Sequence, residues 1–424
     1  MSGVSGECAG LAGADSLPST LPTAVNPQQA LPVPVSRCAT LERTALPSIR
    51  SPMPFADELI GVPTARALAA AIRAAAPAAP LTALPAAADA LGPLSLRERS
   101  DLLRDALLAD LPGDYDTFAA TIRTAAQGTL PFGGWLIWPV TSAIAIKAIE
   151  AGTDSAFDDG MRMLAELTPR LTSEFAIRLL LAHNLDRAMP IVFGWTGSPD
   201  PDVRRLASEG TRPFLPWAIR VPAILAEPTV TLPVLHALYR DENEVVRRSV
   251  ANHLNDLSRQ QPELVTATTA AWLAAPDENT GQLVRHALRT LVKKGNPQAL
   301  AQLGFHPAEV HVAGPVLDAD SLDFGGTIGF TVDIRNIGAE PTRLAVDYVM
   351  HHQKANGSLT GKTFKLTTVT LAPGEAVTLT RSHSFRAITT RRYHPGVHAL
   401  EVQVNGVASG RAQFVLLPDA GQPG

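Results

Sequence analysis

The sequence predicts a helical solenoid followed by an immunoglobulin-like β-sandwich, and three observations carry that expectation. From about residue 55 to 305, apolar side chains recur at i, i+3, i+4 and i+7, as in TARALAAAIRAA and SEFAIRLLLAH. Within that region DPDVRRLASEG is echoed by DENEVVRRSVANHLNDL and more faintly by DENTGQLVRHALRTLVKKG. Arg204, Arg247 and Arg285 thereby align at a separation of about forty residues, a period typical of HEAT-like helical pairs. From about residue 308 the pattern switches to period two, which is the signature of strands.

The elements follow in order. Residues 1–52 are rich in Pro, Ala, Ser and Gly without periodic apolar patterning and read as a disordered tail. Met53 is a candidate true start. Residues 53–305 form the helical region, broken at LPGD, PFGG, SPDPD and QQPE. In SPDPD, Asp200 is a natural N-cap and Pro201 suits the first turn, while Gly210 reads as the helix stop. Residues 306–418 hold seven expected strands, AEVHVAG, GTIGFTVDIRN, TRLAVDYVMHH, KTFKLTTVTL, EAVTLTRSHSF, HALEVQVNG and RAQFVLL, with a short tail at 419–424.

Composition narrows the function. The 424 residues are 46% hydrophobic and 18% charged with a net charge of −4, so any basic footprint must be local. Both cysteines, Cys8 and Cys38, fall in the tail, which leaves the folded region without thiolate zinc ligands, a cysteine nucleophile or disulfides. No signal peptide pattern is present, and the apolar stretch GGWLIWPVTSAIAIKAIEAG is interrupted by Pro139 and Lys147. The expectation is a cytoplasmic protein with no membrane partner. Walker, dinucleotide-binding, HExxH and GxSxG signatures are lacking, and His351 and His352, adjacent on a strand, point to opposite faces. No metal and no cofactor are expected.

Four constellations remain. Arg204, Arg205, Arg247, Arg248, Arg285, Arg289, Lys293 and Lys294 recur at one place in successive repeats, a row suited to phosphates; intrahelical pairing, as Glu244 with Arg248 or Arg205 with Glu209, is the competing reading. Glu209 and Asp256 lie late in their helices, where the macrodipole disfavours a carboxylate, so each is either placed for function or paired with an arginine. Glu174, by contrast, reads as a first-turn acid behind Thr172 or Ser173. Trp217 follows RPFLP on a rigid loop, whereas Trp135, Trp138 and Trp195 read as packing. Finally, between Lys354 and Arg392 Glu375 is the sole acid among seven bases, and ITTRRYHPG puts Arg391, Arg392 and Tyr393 on one loop, either in a nucleic-acid groove or solvated.

At TSEFAIR, VRRLASEGTRPFLPW and DENEVVRRSVANHLND the sequence resembles the AlkC family of alkylation-specific DNA glycosylases, HEAT-like proteins related to the AlkD group, from about Met53 to Phe305. The sandwich resembles the immunoglobulin-like module of one AlkC subgroup, at TTRRYHPGVH and VQVNG. The resemblance implies hydrolytic excision of N3-alkylated bases, chiefly 3-methyladenine and 3-methylcytosine, from duplex DNA without flipping the lesion into a deep pocket. It places catalysis on Glu174, Glu209, Trp217 and Asp256, and adds Arg178 and Arg212 to the DNA-contact set. It also implies a basic residue where Phe214 stands. Such a lesion is already cationic, so it needs no general acid; it needs negative charge near the sugar and a positioned water. A monomer on damaged duplex DNA is expected. The competing class is a non-catalytic HEAT-repeat scaffold or DNA-structure binder.

Overall fold

The computed structural model describes residues 59–388 and 391–418; the expected tails at 1–52 and 419–424 lie outside them. Among the described residues sixteen α-helices run from Val62–Ala75 to Pro297–Gln302, and eight strands follow. None of these helices is long and apolar enough to cross a membrane.

Local chemistry sets the helix ends. Asp200 accepts the Asp202 N–H at 2.8 Å at the head of Pro201–Glu209, and Asn243 accepts the Val245 N–H at 2.8 Å at the head of Glu244–Leu257. The helix Ala83–Asp89 has no cap of its own. Instead the buried Asp110 accepts the N–H groups of Thr82, Ala83 and Leu84 at 2.8–2.9 Å, placing a carboxylate on a positive helix end.

The three sequence echoes fall on Pro201–Glu209, Glu244–Leu257 and Thr280–Ala287, each packed on the next. In the first two echoes the repeated arginine has a structural cause. Arg204 donates to the carbonyls of Ser198 and Pro199 (2.9 and 3.2 Å), and Arg247 to those of Asp241 and Glu242 (2.6 and 2.8 Å). Each guanidinium thus fastens the loop five and six residues upstream onto its own helix. Arg204 also pairs with Asp241 at 2.6 Å, tying one repeat to the next. Gly210 ends its helix as expected, but at φ −64 it is not left-handed. A Cβ there would lie 2.7 Å from Ile177 Cγ2, so the glycine serves close packing on Ile177–His183.

The strands are β1 Val310–Leu317, β2 Ser321–Leu322, β3 Thr327–Asn336, β4 Thr342–Gln353, β5 Leu359–Leu371, β6 Ala376–Ser384, β7 Gly396–Val404 and β8 Val407–Leu416. They form sheets ordered β1-β3-β6 and β2-β8-β7-β4-β5, antiparallel except for β2 beside β8. The strand absent from the sequence reading is β2, because two residues carry no period. Ile328, Phe330, Val332 and Ile334 of β3 alternate inward to meet Leu344, Val346, Tyr348 and Met350 of β4.

The sandwich is joined to the last helices through backbone. Gly295 (φ +72) and Gly406 (φ +80) abut so closely that a Cβ on Gly406 would lie 2.6 Å from Gly295 Cα. Thr363 Oγ1 donates to the Lys293 carbonyl (3.0 Å), Asn405 to that of His306 (2.7 Å) and Arg343 to that of Leu303 (3.2 Å). The Arg343 guanidinium also sits 4.6 Å from the centroid of the Phe305 ring.

Candidate active site

Three acids that are far apart in sequence converge on two arginines. The turn before Ile177–His183 supplies Glu174, the helix Pro201–Glu209 supplies Arg205 and Glu209, the following turn supplies Arg212, and Glu244–Leu257 supplies Asp256. Arg205 reaches Glu174 at 2.8 Å and Glu209 at 3.9 Å; Arg212 reaches Glu209 at 2.5 Å and Asp256 at 2.9 Å. The result is a chain of five charges, carboxylate–guanidinium–carboxylate–guanidinium–carboxylate, with Arg259 a further 4.0 Å from Asp256. Burial alone would lower the Arg212 pKa, but the carboxylates of Glu209 and Asp256 outweigh it and raise it.

The support beneath is hydrogen-bonded throughout. Ser249 Oγ donates to Glu209 Oε2 at 2.6 Å and accepts from Ser208 Oγ at 2.6 Å. His253, fully buried, bonds the Ser208 carbonyl at 2.9 Å and Thr231 Oγ1 at 3.1 Å; burial pushes it down to about 4, so it is neutral at physiological pH. Thr172 Oγ1 donates to Glu174 Oε2 at 2.9 Å. Glu174 therefore sits in a turn ahead of the helix, not in its first turn as expected.

Arg178 takes a part unlike the one expected. It is 0% exposed, so it cannot meet a phosphate. Its fork donates to the carbonyls of Ile219 (2.5 Å), Gly210 (3.0 Å) and Arg212 (2.8 Å), pinning both ends of the loop that carries Phe214 and Trp217. Burial, with Arg220 and Arg212 adding repulsion, lowers its pKa to about 10. A lysine cannot span three carbonyls. Arg178→Lys is expected to cost on the order of 2–4 kcal/mol of stability, read as the denaturation midpoint; a change under about 0.5 kcal/mol would refute the pinning role.

Other expected contacts also sort by exposure. Trp217 stands on its loop as foreseen, 53% exposed and at φ +61, a left-handed conformation that a non-glycine residue holds at a cost of about 1 kcal/mol. Arg204 and Arg212 are buried in the ion pairs described, which corrects their reading as phosphate contacts. Tyr393 is corrected likewise: its ring packs in the sandwich core, 5.0 Å from Phe385 and 5.5 Å from His352. Arg248, Arg285, Lys293, Lys294 and Arg392 are exposed, while Arg205, Arg247, Arg289 and Arg391 are half-buried. Arg248 forms the expected i,i+4 pair with Glu244 (2.6 Å) at the rim of a cleft of about 190 Å3 that Arg247, Asn279, Gln282 and His286 also line. Arg289 donates to the His286 carbonyl and to Asn252. Trp138 stacks on Phe175 at 4.0 Å, as its packing role requires. The sequence reading missed Ser249, His253, Arg220 and Arg259; for Arg259 the signal was its i+3 position from Asp256.

Among the described residues no group of three or more His, Cys, Asp or Glu side chains is placed to hold a metal ion. Scaffold and cluster together define the class: a helical-repeat protein with a buried acid–arginine chain and an appended immunoglobulin-like sandwich. Residues 311–418 match the family model described as the C-terminal Ig-like domain of the uncharacterised protein YhaZ. The uncharacterised protein YhaZ of Bacillus subtilis is 31% identical over 322 residues, covering 76% of this chain and 87% of the relative. The solved Pseudomonas fluorescens alkylpurine DNA glycosylase AlkC, bound to DNA containing an abasic site analog, is 32% identical with a TM-score of 0.74, covering 86% of this chain and 100% of that one. The chain belongs to the AlkC-type family, in the subgroup with a YhaZ-like C-terminal domain.

Proposed function

We propose that the protein is a monofunctional DNA glycosylase of alkylation repair. It hydrolyses the N-glycosidic bond of cationic N3-alkylated bases, chiefly 3-methyladenine and 3-methylcytosine, in duplex DNA and without base flipping. It acts as a cytoplasmic monomer. The observation that carries this reading is the convergence of Glu174, Glu209 and Asp256 through Arg205 and Arg212, on a family background that includes a DNA glycosylase.

The chemistry follows from charge. A cationic base leaves without being protonated, so the barrier lies in the oxocarbenium-like sugar. A fixed carboxylate in a poorly hydrated site stabilises that sugar more than the same charge would in water. The acids are held by guanidinium forks and need not reorganise. One of them positions the water, and the Trp217 ring meets the cationic lesion or its deoxyribose. Neutral adducts, with a poorer leaving group, are largely spared.

One observation favours the alternative, a non-catalytic HEAT-repeat scaffold or DNA-structure binder: every carboxylate of the cluster is paired with an arginine. Release of free base from methylated duplex DNA, resolved by chromatography, separates the two. Freed 3-methyladenine and 3-methylcytosine are expected; intact DNA after prolonged incubation with folded protein leaves the binder.

A further inference from the structure

The ring at position 214, where the family resemblance implies a base, gathers two. The Arg220 and Arg259 guanidiniums lie over the Phe214 ring at 5.0 and 4.8 Å from its centroid. They come from separate elements, Arg220 from the end of the loop that Arg178 pins and Arg259 from the turn after Glu244–Leu257. Both are exposed. Arg259 meets a carboxylate only at 4.0 Å, from Asp256, and Arg220 forms no ion pair among the described residues. Arg220 is further steadied by the carbonyls of Leu215 (3.2 Å) and Pro213 (3.5 Å).

Two exposed guanidiniums are held on one ring, where an exposed cation–π contact returns only about 0.5–1 kcal/mol each and leaves the forks open to solvent. A backbone phosphate is a monoanion, and guanidinium forks suit its oxygens. We infer that Phe214 is a positioning residue whose ring holds Arg220 and Arg259 as a two-guanidinium seat for a backbone phosphate of the bound duplex. The seat's place on the Trp217 loop sets the backbone beside the proposed lesion site, and in that respect the inference rests on the glycosylase reading.

The test is the salt dependence of binding to undamaged duplex DNA, which needs no excision. Phe214→Leu keeps an apolar side chain but removes the ring face; the slope of log affinity against log salt should lessen in magnitude by up to about 1, the share of one phosphate, while Phe214→Tyr keeps it. In an Arg220→Gln/Arg259→Gln background Phe214→Leu should change nothing further. A slope unaltered by Phe214→Leu, or a full effect persisting in that background, overturns the seat. If Phe214→Leu does not fold, the double variant Arg220→Gln/Arg259→Gln decides: it should lessen the slope by about 1, and an unchanged slope overturns the seat. A reduced slope in a protein that releases no base removes the glycosylase reading and leaves the seat standing.

Discussion

Glu209→Gln is expected to slow single-turnover release of 3-methyladenine by about 10²–10³-fold, the scale on which loss of one preorganised electrostatic group acts. Duplex affinity should change less than about threefold, a fraction of one hydrogen bond's worth. The geometry separates the two effects. Glu209 Oε1 takes the Arg212 fork and Oε2 takes the Ser249 hydroxyl. A glutamine keeps an oxygen toward Arg212, and its amide donates to Ser249, whose hydroxyl turns to accept. Shape and hydrogen bonding survive at a stability cost of roughly 1 kcal/mol. What disappears is one of the three fixed carboxylate charges, leaving Glu174 and Asp256 beside Arg205 and Arg212. Losses of equal size in excision and affinity would sink the electrostatic role.

Acidification is the second large effect, and it acts on the sandwich. His352 on β4, His383 on β6 and His398 on β7 are buried together, with the His352 ring 5.8 Å from that of His383 and 5.7 Å from that of His398. Both His352 nitrogens, His383 Nε2 and His398 Nδ1 have no hydrogen-bond partner. His383 Nδ1 meets Tyr348 Oη, and His398 Nε2 meets the His394 carbonyl. Burial, then Arg391, then the neighbouring histidines and Lys362 push His352 down to about 3; burial, Arg391, Lys362 and His398 push His383 down to about 4. His398 is lowered chiefly by burial, with His394 opposing through its carbonyl and assisting through its charge.

The folded state thus refuses protons that the unfolded chain accepts near pH 6.5. Stability is complete above that value and falls as pH drops through 6.5 toward 4, by on the order of 5 kcal/mol for His352 and His383 together. All five tryptophans precede residue 305, so their fluorescence reports the helices, and loss of the sandwich is read by limited proteolysis after residue 305. His352→Phe/His383→Phe should move the sandwich's acid midpoint to lower pH. A midpoint that stays where it was would show that other groups govern acid unfolding.

The fold was legible because period and punctuation are properties of the chain: helical spacing up to about 305, alternation after it, and Asp200 at a helix head. Among the strands β2 escaped, being shorter than the pattern that reveals one. The site was legible in part. Glu209 and Asp256 stood out because the macrodipole opposes them, and Trp217 because no helical face claims it. What spacing does not encode is direction. Arg204 and Arg205 are neighbours, yet one turns back to loop carbonyls and the other turns to Glu174. Arg178 and Tyr393 likewise sit in stretches that suggest DNA, while the backbone carbonyls and the aromatic core claim their side chains.

The meeting of Gly295 with Gly406 bears on how this architecture is inherited. Two chain segments touching at bare backbone form a lock cut for one key: even a single methyl on either side would have nowhere to go. The sandwich is therefore no interchangeable attachment. A foreign immunoglobulin-like module spliced after residue 305 would need a glycine at the tip of its last hairpin, in register with Gly295, before it could seat. Because the joint forms when the chain folds, the basic residues beyond it are held in place before any DNA arrives, and binding need not spend free energy on gathering the two halves.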